Sequence, residues 1–307
     1  MLNVAILGCG RWGSNHLKVL ARLREEGIVR KISVIDTSQD ARDRAVLADI
    51  TKSSFDGVTA DLVIIATPSD LHSSQAVKLI QKGYHVLVEK PLGNTEFDAA
   101  AVISTAQEHG RLLSVGLLLR HHPAIRLVQN LISTGKLGRL ESLRFVRRST
   151  RQPSHGSNVI ESIGVHGIDL LCHLLGEVEP SAISVEGDEI ESRIVLEYPH
   201  GIEGLIDVAW NANKEKRSVT VMGSNAKLIF DLNNHNSVTL YRDGNEYTLQ
   251  CDDKYSPLEA EIRHMLDGIS AFNQGIKWIQ NPSHGAVLRG VRWTEKAIAA
   301  TPHVRPH

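Results

Sequence analysis

The run LNVAIL at 2–7, followed at once by GCGRWG at 8–13, decides the fold. A mostly apolar stretch of strand length runs into glycines at 8, 10 and 13. Leu17, Leu20, Ala21 and Leu23 then recur at helical spacing. A strand that turns through glycines into a helix gathers unpaired N–H groups and the positive end of the helix dipole at one point. That point suits a phosphate. Gly8 permits the tight turn, Gly10 lets the backbone approach a pyrophosphate, and Gly13 lets helix and strand pack closely. With Arg11 and Trp12 in the same turn, the pattern predicts a dinucleotide site.

Outward from the turn, Ile32–Ile35 reads as a second strand and Asp36 ends it, 23 residues past Gly13. A carboxylate there bonds both ribose hydroxyls and repels a 2′-phosphate, so NAD is expected over NADP. A short helix is expected from Ser38 to Leu47, with little room for a full helix between Ile50 and Ala60. Strand patterns at Leu62–Ala66, Val86–Val88 and Leu112–Val115 alternate with helical ones at His72–Gln81 and Glu96–Glu108. Strands apolar throughout and alternating with helices predict a parallel sheet covered on both faces.

After about Gly116 the pattern changes. A helix from Pro123 to Ile132 leads to a strand near Leu143–Val146, a polar loop over 147–158 and a helix over Val159–Leu175. Short strand-like runs follow at 190–196, 202–208, 218–221, 228–230 and 238–241, punctuated by turn residues. Two helices, Pro257–Phe272 and Ser283–Ala299, finish the chain. The expected architecture is an α/β Rossmann domain over 1–118. An α+β domain with an open, mostly antiparallel sheet takes 119–307, its last helices packing back on the first domain.

Composition narrows the function. Of 307 residues, 42% are hydrophobic and 22% charged, as in globular proteins, and the net charge of −1 supplies no field for nucleic acid. No apolar run is long enough to span a bilayer, and no basic segment opens a signal peptide. Cys9, Cys172 and Cys251 are scattered, so neither a metal site nor a disulfide framework is expected, and the reducing cytoplasm is.

Four further segments extend the pattern: IATPSDLH at 65–72, VLVEKPLG at 86–93, VGLLLRHHPA at 115–124 and GVHGIDLLCHLLG at 164–176. In this order and spacing the chain resembles the Gfo/Idh/MocA family of sugar and cyclitol oxidoreductases. The resemblance implies a substrate held between the two domains, with Lys90 beside the nicotinamide and the reacting hydroxyl, and a Lys90–Pro91 bond that is often cis. It implies that Thr67, Pro68, His72 and Glu89 line the cofactor site and that His166 is the acid/base. Arg120 and Asp169 match two further family positions at the substrate. Chemistry supports the two central roles. A histidine titrates near neutrality and suits a hydroxyl proton, and a lysine ammonium stabilises a developing alkoxide. Asp169, three residues after His166, either orients the imidazole or holds the helix to the core. Arg120 serves either a substrate or a structural ion pair.

Two positions depart from the family. Ser162 stands where many members carry aspartate, and Leu118 where many carry a polar residue. Both changes reduce the polar grip on a plain sugar. Arg147, Arg148 and Arg151 offer guanidinium forks to a diphosphate. Arginines following GRLESLRFV resemble the branch that oxidises UDP-N-acetylglucosamine at carbon 3. The expected function is hydride transfer between nicotinamide and a secondary hydroxyl of a sugar or nucleotide sugar, first of all carbon 3 of a UDP-N-acetylhexosamine. A myo-inositol or aldose dehydrogenase is the alternative within the family, and a non-catalytic dinucleotide-binding regulator the alternative outside it. An open sheet calls for a second copy, as homodimer or homotetramer.

Overall fold

The computed structural model describes residues 1–302 except 154, 155, 157, 252 and 253. Two compact units result: Met1–Leu118 with Leu258–Leu288, and Leu119–Pro257 with the chain from Arg289 onward.

The first unit holds six parallel strands, β1 (Leu2–Leu7), β2 (Val29–Ile35), β3 (Ile50–Lys52), β4 (Leu62–Ile65), β5 (His85–Glu89) and β6 (Leu113–Gly116). Their order is β3-β2-β1-β4-β5-β6. All of β4, β5 and β6 is buried, which is why these strands read as unbroken apolar runs. Helices α1 (Arg11–Glu25), α2 (Gln39–Arg44), α3 (His72–Gln81) and α4 (Glu96–Glu108) connect them. Helix α7 (Pro257–Asn273) joins the unit from far along the chain: Ile262, Met265, Leu266 and Ile269 share a core with Leu17 and Leu20 of α1. Helix α2 is shorter than the expected Ser38–Leu47. Ser38 caps it by accepting from the Ala41 N–H, it stops at Ala45, and Val46 lies exposed.

The second unit carries helices α5 (Pro123–Ser133) and α6 (Val165–Leu174) and the first part of α8 is left to the other unit, α8 spanning His284–Ala299. Its sheet holds β7 (Leu140–Arg148), β8 (Ala182–Gly187), β9 (Glu191–Tyr198), β10 (Ile202–Ala209), β11 (Lys216–Gly223), β12 (Lys227–Asp231), β13 (Ser237–Arg242) and β14 (Asn245–Gln250). The order is β14-β13-β12-β11-β7-β10-β9-β8, antiparallel except between β7 and β10. Helix α6 packs on β7 and β10, and α5 on α6 and β13. Burial alternates along β9, with Ser192, Ile194, Leu196 and Tyr198 inward. The other face carries ion pairs, Arg144–Asp207 and Arg148 with Asp207 and Glu191.

Three expectations need correction here. β7 extends through Arg148, so Arg147 and Arg148 lie on a strand, and the loop expected over 147–158 falls partly outside the described residues. The helix expected from Val159 begins with a π turn, Ile160–Gly164, before α6. β8 and β14 were not among the expected strands.

Candidate active site

Chain geometry at the glycine turn follows from what a side chain would strike. Gly8 has φ 89°, and a Cβ there would stand 2.8 Å from the Ala66 carbonyl oxygen and the Thr67 nitrogen. A Cβ at Gly13 would stand 2.0 Å from the Gly8 carbonyl oxygen. Gly10 differs, since nothing lies within 4 Å of its missing Cβ. Gly10 also caps α1 with no side-chain hydrogen bond, and the first turn of the helix has no acidic residue. No acidic side chain of the first turn therefore offsets the positive helix end. Strand order reverses at β1, between β2 and β4, which is where open α/β sheets take ligands.

Asp36 completes this edge. The Cys9 N–H donates to its Oδ2 at 2.7 Å and the Ser38 N–H to its Oδ1 at 2.8 Å. A bare glycine cradle, an uncapped helix start and a fixed carboxylate together fit the pyrophosphate and ribose of a dinucleotide.

Lys90 follows β5 at the same carboxyl edge, is half-buried, and precedes Pro91 through a cis bond. His72 is buried beside it. Its Nδ1 lies 2.7 Å from the Pro91 carbonyl oxygen and its Nε2 2.9 Å from the Thr67 carbonyl oxygen. The ring thus ties the loop after β4 to the loop after β5. Thr67 donates its hydroxyl to Gln75 Oε1 at 2.6 Å. Pro68 is exposed at this edge and Arg11 lies over Trp12, 5.7 Å from the ring centre. Glu89 points inward, its Oε1 2.7 Å from Nε2 of the buried His16. His16 was missed in the sequence, although Gly13, His16, Leu17 and Leu20 form one inward stripe of α1.

In the second unit, His166 lies buried on α6 and Ser162 half-buried on the π turn before it. A π turn spreads its residues more widely than an α turn.

Arg120 and Asp169 are turned to each other. Arg120 Nε and Nη2 donate to Asp169 at 2.8 and 2.6 Å, and Nη1 donates to Glu177 Oε1 at 2.7 Å. His173 Nδ1 lies 2.8 Å from that same oxygen, and Arg289 also pairs with Glu177. Burial opposes charge on Arg120, yet Asp169 and Glu177 outweigh it and raise its pKa. Burial likewise works to raise Glu177, and hydrogen bonds from His173, Arg120 and Arg289 hold it well below the carboxylate range. The structure thus shows Arg120 and Asp169 as an ion pair whose side chains are only 1% and 3% exposed. His173, Glu177 and Arg289 were missed, their spacing giving no sign that a turn and a distant helix converge on Arg120.

The arginine loop is also reduced. Arg148 is engaged by Asp207 and Glu191, while Arg151 is exposed. Glu215 lies across the loop, accepting from the Thr150 N–H at 2.9 Å and the Ser149 hydroxyl at 2.8 Å. Those bonds, the Thr150 one first, bring its pKa to about 2. Arg217 pairs with the same carboxylate at 3.3 Å.

Comparison with known proteins agrees with this architecture. Residues 2–117 match the model of the oxidoreductase family with an NAD-binding Rossmann fold, and residues 125–229 match the Gfo/Idh/MocA C-terminal domain. The chain belongs to the Gfo/Idh/MocA family. Inositol 2-dehydrogenase 2 of Saccharopolyspora erythraea is 28% identical over 184 residues, 57% of this chain and 54% of that protein. The scyllo-inositol 2-dehydrogenase (NAD(+)) of Bacillus subtilis is 27% identical over 214 residues, 63% of this chain and 59% of that one. The matched region thus spans little more than half of either relative. Among solved structures, UDP-N-acetylglucosamine 3-dehydrogenase GnnA of Acidithiobacillus ferrooxidans superposes with TM-score 0.84 at 22% identity, covering 98% of this chain and 97% of that one. KijD10, a 3-ketoreductase of Actinomadura kijaniata in complex with TDP-benzene and NADP, gives 0.85 at 17% identity, covering 98% of each. Among the described residues no helix is long and apolar enough to cross a membrane, and no group of His, Cys, Asp and Glu is arranged to hold a metal ion.

Proposed function

We propose that this chain is an NAD-dependent dehydrogenase acting on a secondary hydroxyl of a sugar or nucleotide sugar. The observation that carries it is the shared carboxyl edge of the first sheet. There the open Gly10 cradle, the Asp36 carboxylate and Lys90 all follow strand ends. Bound NAD supplies the hydride acceptor. Lys90 places its ammonium against the hydroxyl oxygen and stabilises the charge that develops on it. His166 takes the hydroxyl proton. His72 holds the two loops that flank Lys90, and Asp36 favours NAD over NADP. Within this class, carbon 3 of a UDP-N-acetylhexosamine is the first candidate, supported by the likeness to GnnA along the whole chain. The sequence relatives named as inositol dehydrogenases support a cyclitol as the second. The engagement of Arg148 by Asp207 and Glu191 favours that second candidate.

The test is NAD⁺ reduction with UDP-N-acetylglucosamine, other UDP-sugars, myo-inositol and free aldoses side by side. NADH forms with at least one of them, and Lys90→Ala abolishes it while still binding NAD⁺. A Lys90→Ala enzyme that turns over normally removes the assignment. A non-catalytic dinucleotide-binding regulator is the reading left if wild type binds NAD⁺ and turns over nothing, and Leu118 and Ser162 are the positions that favour it. The chain is also proposed to assemble as a homodimer or homotetramer through the open face of the second sheet. A monomer in sedimentation at micromolar concentration counts against that.

A further inference from the structure

Glu261, on α7, is 2% exposed, and neither of its carboxyl oxygens has a hydrogen-bond partner. A buried polar group in that position calls for a reason. The charged group facing it is Glu89 of β5, itself 6% exposed and bonded to His16 of α1. On its own helix, Glu259 is occupied by Arg22 and Arg263. Three elements of the first unit thus bring two carboxyl groups and one imidazole together in its interior, one peptide bond from Lys90.

We propose that Glu261 is a positioning residue of the Lys90 site, a neutral carboxylic acid that walls in the Glu89–His16 pair. Two facing carboxylates in an apolar interior do not both ionise, and one keeps its proton. Glu89 has a bonded partner in His16. Glu261 has none, and burial, helped by Glu89, pushes its pKa well up. Glu89 is confined on its other side as well: β5 pairs Glu89 with Gly116, and a Cβ at Gly116 would lie 3.1 Å from Glu89 Oε2. His16 and Gly116 therefore limit where the Glu89 side chain can sit, and Glu261 adds a second carboxyl group within its electrostatic reach. The place Glu89 takes sets the direction in which the chain leaves β5 and hence where Lys90 stands. Ionising Glu261 sets like charges against each other and disturbs that exit. The idea rests on Lys90 acting as proposed above, but its test needs no substrate.

The probes are infrared difference spectroscopy, thermal unfolding and Lys90 labelling on the full chain, comparing wild type with Glu261→Gln. Glu261→Met serves the same comparison if the glutamine variant does not fold. Wild type shows a protonated-carboxyl band at neutral pH that the variant lacks. The folded state holds Glu261's proton above the pH where the unfolded chain releases it. Wild-type stability therefore falls as pH rises through that window, and the variant's advantage in Tm grows with pH. Competitive acetylation of Lys90, read by peptide mass spectrometry, shows a second pH step in wild type that the variant loses. Absence of the band, or a Tm difference flat from pH 5 to about 9, overturns the neutral acid. Identical labelling profiles overturn the positioning role while leaving the dehydrogenase reading untouched.

Discussion

Arg120 holds Asp169 through two prongs, Nη2 to Oδ1 at 2.6 Å and Nε to Oδ2 at 2.8 Å, with both side chains closed to solvent. Burying two charges is costly, and breaking the pair costs more, because Arg120 is left buried and charged with only Glu177 to answer it. Asp169→Ala is therefore expected to cost about 3–5 kcal/mol in denaturant unfolding. The double variant Arg120→Met with Asp169→Leu should cost less than Asp169→Ala alone. If Asp169→Ala leaves the unfolding midpoint in place, the pair is not holding the second unit together.

The glycines separate fold from ligand. Gly13→Ala drives a methyl group into the Gly8 carbonyl, so the first unit should lose several kcal/mol of stability. Gly10→Ala meets no atom of the protein and should unfold like wild type. Its methyl group fills the cradle, and NAD⁺ affinity should fall at least about tenfold, or 1.4 kcal/mol. Equal affinity in Gly10→Ala and wild type would place the pyrophosphate elsewhere.

Asp36 orders the turn through Cys9, and the proposed function also has it exclude a 2′-phosphate. Asp36→Asn keeps an acceptor for the Cys9 N–H and removes the charge. NADP⁺ affinity should rise and NAD⁺ affinity fall, so the ratio of dissociation constants moves by about tenfold or more. Fluorescence titration with NADH and NADPH measures it, and an unchanged ratio contradicts the role.

Acid should loosen the fold before its carboxylates titrate. Burial first, then Arg111, lowers His85 from 6.5 to about 4. Burial first, then His235, does the same for His122, also to about 4. Between those values the unfolded chain binds more protons than the folded one, so stability falls as pH drops from 6.5 towards 4. His122 caps α5 by accepting from the Ala124 N–H at Nδ1. Asparagine is a good cap that does not titrate. His122→Asn should therefore lose less Tm than wild type between pH 6.5 and 4, and parallel curves would show that His122 is not the group responsible.

The parts of the fold legible in the sequence were those with one dominant physical cause. β4 and β5 announced themselves because both faces are buried, and α3 and α4 have the bounds their periodicity gives. β8 and β14 escaped notice because they are the two outer strands of their sheet and mostly exposed. A strand with one buried residue, Val185 in β8, or none, as in β14, leaves no alternation to read. Of the site, the glycines and Asp36 were legible because backbone geometry dictates them. Arg120 was read with two meanings, and the structure displays one of them, the ion pair with Asp169. Glu261 was hidden in the helix PLEAEIRHML, where a carboxyl among Leu258, Ile262 and Met265 looks like a solvent residue until its burial is known.

Helix α7 supplies core to a unit whose sheet is complete by Gly116. During synthesis the strands of the first sheet therefore emerge with α1 still uncovered. They wait for some 140 residues of a second unit before the covering helix arrives, a long loop to close. A fragment cut at Leu118 would keep every residue of the glycine turn and still expose the apolar side of α1. Anyone wishing to study the dinucleotide unit in isolation should splice α7 onto it through a short linker. A chaperone acting on this chain would be expected to hold that same surface until the ribosome has delivered Leu266.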